Sequence, residues 1–163
     1  MKTVRRNTFE TNSSSTHCLC FTKEHTETAD VSILNSAMII EPFTEDEVDY
    51  EMTFTTLRDK LRYFLTVYEQ ADFAGRNFMK MLQRLCPNVV FKHTFSNNNY
   101  LLEDAEWFFG YGECESDVFT EELLKEFLLY GTVYFGSRDD EEYSDKVEQI
   151  KQNDDFFSVQ WSG

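Results

Sequence analysis

A chain of 163 residues is the size of one domain. It can bury about two thirds of the surface that its unfolded form exposes, so its stability requires neither disulfides nor a structural metal. Hydrophobic residues make up 41% and aromatics 16%, enough for a real core, which argues against global disorder. Fifteen Lys and Arg against thirty Asp and Glu give a formal charge of −15, which disfavours direct binding to nucleic acid or anionic membranes and favours basic partners.

The chain opens on a hydroxyl-rich stretch, "RRNTFETNSSSTHCLC" at residues 5–20. No apolar signal core follows Met1, and no run of about 18 apolar residues occurs, so a cytoplasmic protein with reduced thiols is expected. "HCLCFT" (17–22) reads as a strand led in by a polar turn. On that strand Cys18 and Cys20 share one face and His17 takes the other. A second short strand is expected at Ala37–Ile40, stopped by Pro42. "TEDEVDYE" (44–51) reads as an acidic cluster.

Helical spacing then begins. Leu57, Leu61, Phe64, Leu65 and Tyr68 fall on one helical face, with Thr56 and Asp59 placed as a capping pair. Ala74, Phe78, Met81, Leu82 and Leu85 repeat the pattern, with Asp72 as the expected cap and Pro87 just past the end. "NVVFKHTF" (88–95) alternates as a strand. The segment 105–117 is aromatic, glycine-punctuated and acidic, and takes no firm assignment. "TEELLKEFLLYG" (120–131) has a Thr cap, two Glu in its first turn and a terminating Gly. A strand at 132–136, a helix over 139–152 resting on Tyr143, Val147 and Ile150, and a strand at 156–161 complete the chain. Phe157, Val159 and Trp161 face one way on that last strand. The pattern predicts a single α+β domain over 1–163, with a mixed or antiparallel sheet and about four helices.

Two groups of residues could carry function. The first is Arg5, Arg6, Ser13, Ser14, Ser15 and His17. A serine beside a histidine suggests a nucleophile, but triads gather their members from distant segments and no G-x-S-x-G elbow is present. Clustered hydroxyls beside two arginines suit an anion, which makes a small enzyme or a nucleotide- or phosphate-binding protein the alternative reading. The segment lacks the glycines of a phosphate loop. The cysteines and histidines lack zinc-finger spacing, so no metal or cofactor is expected.

The second group is acidic: Glu45, Asp46, Glu47, Asp49 and Glu51; Glu113, Glu115 and Asp117; and Asp139, Asp140, Glu141 and Glu142. No EF-hand pattern accompanies them. Carboxylates interleaved with aromatics can occupy the basic nucleic-acid groove of another protein, as a mimic of the phosphate backbone.

Phe9 to His17, "FETNSSSTH", resembles the opening of a small family of largely uncharacterised bacteriophage and mobile-element proteins, with Cys18 where that opening has serine. The match covers nine residues. It implies a phage accessory protein. By analogy with anti-CRISPR proteins, such a protein would bind and inhibit a host nucleic-acid-binding defence protein, such as a CRISPR effector nuclease, in the host cytoplasm.

Overall fold

The computed structural model describes residues 15–25, 28–49, 51–94, 101–102, 106–109, 115–137 and 141–162, with backbone only at 106–107, 137, 141–144 and 162. The fold is α+β. A four-stranded antiparallel sheet runs in the order β3-β5-β1-β6, and a separate two-stranded parallel sheet pairs β2 with β4. The strands are β1 (Ser15–Thr22), β2 (Met38–Ile40), β3 (Glu51–Phe54), β4 (Val89–Phe91), β5 (Thr132–Ser137) and β6 (Phe156–Ser162). The helices are α1 (Leu57–Gln70), α2 (Arg76–Leu85), the single turn α3 (Glu106–Phe109), α4 (Glu121–Tyr130) and α5 (Glu141–Gln152).

β1 is an interior strand, paired with β5 on one side and β6 on the other. Its alternation separates two layers. Leu19 and Phe21 join the main core beneath α1 and α4, with Val133 and Phe135 of β5 and Val159 and Trp161 of β6. Cys18 and Cys20 face the opposite layer, where Val147 and Ile150 of α5 cover them together with Tyr134. The sheet therefore has helices on both faces, although all of its pairings are antiparallel.

The helices start where capping chemistry allows. Thr56 accepts from the Asp59 N–H and Thr120 from the Leu123 N–H, each satisfying a donor that the first turn leaves open. The expected Asp72 cap is corrected. Asp72 and Phe73 adopt left-handed φ values of 49° and 61° in the turn between α1 and α2, and α2 is capped at Gly75. Glycine is needed there because a Cβ would lie 2.2 Å from a ring carbon of Phe109. α2 therefore begins after Ala74, which is exposed and lies off its apolar face.

The middle of α1 is buried nearly all round, from Lys60 to Val67 except Arg62. Tyr63 and Val67 are fully buried, while Tyr68 is only half-buried. Lys60 lies in the core at 1% exposure, and its ammonium donates to the carbonyls of Phe127 (3.2 Å), Leu128 (2.5 Å) and Gly131 (3.0 Å). It thus closes the C-terminal end of α4, where the last carbonyls lack helical donors and carry the negative end of the helix dipole.

Candidate functional site

Of the hydroxyl-rich group, Ser15 and His17 lie among the described residues; Arg5, Arg6, Ser13 and Ser14 lie outside them. The strand begins at Ser15, so Ser15 and Thr16 belong to β1 and not to a preceding turn. His17 is fully buried. Its Nδ1 shares a 2.7 Å hydrogen bond with the Tyr63 hydroxyl, and its Nε2 lies 3.4 Å from Ser15 Oγ. The ring stacks on Trp161 at 4.9 Å and 15°, and tilts against Phe135 at 4.9 Å. Both ring nitrogens have a partner, and aromatic faces enclose the ring. A hydrogen-bonded, enclosed imidazole fits a core position and leaves no approach for a substrate past these neighbours.

Cys18, Cys20 and Cys86 are equally withdrawn, and Cys114 lies outside the described residues. Burial pushes the Cys20 thiol up to about 12 and the Cys86 thiol up to about 11, and it raises Cys18 further. Such thiols are neither nucleophiles nor ready metal ligands at neutral pH. Among the described residues, no three His, Cys, Asp or Glu side chains gather as a metal site.

The first acidic group forms a shaped ledge. Glu45–Glu47 make one turn of 3₁₀-helix that leads through Val48 and Asp49 into β3, the edge strand. Glu47 closes a capping box on Thr44, accepting from the Thr44 N–H at 3.0 Å and the Thr44 hydroxyl at 3.0 Å. Arg62 of α1 anchors the same turn. It donates to Glu47 at 2.6 Å, to the Glu41 carbonyl at 3.1 Å and to the Pro42 carbonyl at 3.3 Å, and its guanidinium lies 4.2 Å above the Phe43 ring. The Arg62 hydrogen bond, aided by the Thr44 N–H, holds the Glu47 carboxyl down to about 2.

Glu47 is therefore spent on the turn. Glu45, Asp46, Asp49 and Glu51 stand exposed along it. In β3 the alternation places Glu51 and Thr53 outward and Phe54 in the core. Charge on an edge strand also discourages stray strand pairing.

The other acidic residues do not join this ledge as one described surface. Glu115 and Ser116 are buried at 7% exposure, and Asp117 is exposed in the same separate 3₁₀ turn, Glu115–Val118. Glu113, Asp139 and Asp140 lie outside the described residues, and Glu141 and Glu142 are placed by backbone alone at the start of α5. Arg62 is the ledge residue that sequence reasoning missed. It lies off the apolar face of α1, and nothing in its spacing links it to an acid fifteen residues earlier. Comparison of the chain with protein-family models, with curated proteins and with solved structures gives no match.

Proposed function

We propose that this chain is an acidic interaction protein that binds a basic, nucleic-acid-binding protein of a host cell and inhibits it. The observation that carries the reading is the ledge at Glu45–Glu51, where exposed carboxylates sit on a turn already fixed by Thr44 and Arg62. A turn whose backbone is already held loses little backbone entropy on docking, so its charges act together on a basic groove. The formal charge of −15 adds long-range attraction to such a partner and repulsion from nucleic acid itself. The resemblance of Phe9–His17 to phage proteins supplies the context, and a CRISPR effector nuclease is the partner class it suggests.

The enclosure of His17 between Trp161, Phe135 and Tyr63 favours this reading over catalysis by the hydroxyl-rich segment. The test is competition. A guide-loaded CRISPR nuclease holding fluorescent target DNA is titrated with the protein, and anisotropy follows release of the DNA. Release by the wild type, with at least about tenfold more E45K/D46K/D49K variant needed for the same effect, supports the proposal. DNA retained at saturating protein, or equal potency of the variant, contradicts it.

A further inference from the structure

The acidic ledge has a counterpart of opposite charge. α2 and β4 border a groove of about 560 Å³, a size that suits a ligand or a short peptide segment. Tyr68, Met79 and Phe91 give it an apolar lining, Arg76 and Lys80 line it with cations, and His93 lines it while sharing a 3.1 Å hydrogen bond with Glu69. Arg76, Met79, Lys80 and Gln83 follow the i, i+3, i+4, i+7 spacing, so one face of α2 presents all four. Arg76 and Lys80 are exposed, and among the described residues neither pairs with a carboxylate. In a chain with twice as many acids as bases, these two cations, unpaired among the described residues, give the apolar groove a local positive charge.

The Asn88 carbonyl accepts from Met38 N–H at 3.4 Å, and Lys92 N–H donates to the Ile40 carbonyl at 2.8 Å. In a parallel ladder only alternate residues turn their backbone groups to the partner. The register Met38↔Val89 and Ile40↔Phe91 therefore turns the N–H and C=O of Val89 and Phe91 away from β2. Val89 is satisfied locally: its N–H donates to the Cys86 carbonyl at 3.1 Å, and its carbonyl accepts from Gln83 Nε2 at 3.0 Å. Among the described residues the N–H and C=O of Phe91 have no partner, which opens the outer edge beside the groove. Ile39 and Val90, paired across the two strands, expose 51% and 56% of their surface and extend the apolar area. A two-stranded sheet this short gains most from a third strand.

We propose that this groove binds an extended acidic peptide segment of a partner protein, laid along the outer edge of β4. Its backbone would pair with Phe91. Alternate apolar side chains would enter against Tyr68 and Met79, and carboxylates would meet Arg76 and Lys80. Phe91 offers one N–H and one C=O in strand geometry, which a peptide backbone matches and a phosphate backbone, having no N–H donor, does not.

The test uses the full chain and a fluorescein-labelled eight-residue peptide alternating Glu and Val, read by anisotropy. The Glu–Val peptide is expected to bind. R76E/K80E and the milder R76Q/K80Q should each weaken binding, the former by about tenfold or more. R58E/K125E, which changes two exposed basic residues that do not line the groove, should leave it within about twofold. A Lys–Val peptide, and a Glu–Val peptide N-methylated at alternate residues, should each bind at least about tenfold more weakly. Circular dichroism of each variant confirms that the fold is kept. No binding of the Glu–Val peptide at about 1 mM, equal binding of the Lys–Val peptide, or indifference to R76E/K80E overturns the proposal. Full binding of the N-methylated peptide overturns the strand pairing. Self-association of the wild type that R76E/K80E abolishes would assign the groove to a second copy and likewise overturn it.

Discussion

Lys60 offers a quantitative test of how the core is held together. Its ammonium is 1% exposed and faces three carbonyls at the end of α4. Three acceptors call for three N–H donors, which only the charged form supplies. Burial opposes that charge and lowers the group from 10.5 to about 8. At about 1.4 kcal/mol per pH unit, this is a cost of about 3 kcal/mol for folding with the lysine protonated. Replacing Lys60 with Met removes the cost but strips donors from the Leu128 and Gly131 carbonyls, at about 1–3 kcal/mol each. The Phe127 carbonyl keeps the Gly131 N–H at 2.6 Å. Gain and loss are of similar size at neutral pH, so a single stability value there discriminates poorly.

The pH dependence discriminates well. The folded value lies below the unfolded one, so between about 8 and 10.5 the unfolded chain holds more protons and stability rises with pH. The buried thiols act in the opposite sense: they resist ionisation in the fold, so stability falls above their ordinary value of 9.0. Subtracting the stability of K60M from that of the wild type cancels the thiols. Urea unfolding under reducing conditions at pH 7, 8, 9 and 10 should show this difference rising in favour of the wild type, by up to about 3 kcal/mol. A flat difference from pH 7 to pH 10 would show instead that the carbonyls fully offset burial and that Lys60 keeps its ordinary basicity in the fold.

Tyr63→Phe removes the 2.7 Å hydrogen bond to His17 inside the core and should cost about 1–3 kcal/mol in urea unfolding; an unchanged midpoint would contradict a structural role for that bond. Arg62→Ala removes the anchor of the ledge and should cost about 1–2 kcal/mol, since Glu47 is 42% exposed and its ion pair is partly screened. Because the Glu47 carboxyl is held at about 2 against an ordinary 4.5, its stabilisation is present above pH 4.5 and fades as pH falls through 2; the variant should lose that part of the acid sensitivity. Alkylation mapped by mass spectrometry at pH 8 should leave Cys18, Cys20 and Cys86 unmodified until urea unfolds the chain, whereas modification in the folded state would contradict their burial.

Much of the fold is legible where one rule governs. α1 and α4 start at the Thr residues that cap them, and the alternation of β1 places His17 opposite Cys18 and Cys20. Phe157, Val159 and Trp161 of β6 all meet the core, as their period of two requires. Legibility fails where two signals overlap. "EMTF" alternates as an edge strand should, but the acidic run preceding it reads as a charged loop, so β3 is missed. Asp72 has the chemistry of a cap, yet the packing of Phe109 against Gly75 sets where the turn ends. Lys60 looks like a solvated helix residue, because its carbonyl partners lie some seventy residues downstream. The ledge carboxylates are visible in the sequence; the Arg62 contacts that shape them arise only once α1 packs beside residues 41–47.

The exposed carboxylates of the Glu45–Glu51 ledge are proposed to engage a basic groove. The most direct test is the affinity of the wild type and of E45K/D46K/D49K for a guide-loaded nuclease across a salt series from about 50 to about 200 mM. The wild type should show a steep linear fall of log affinity with log salt, and the variant a shallower, weaker line. Coincident lines, or an affinity that ignores salt, would contradict that engagement.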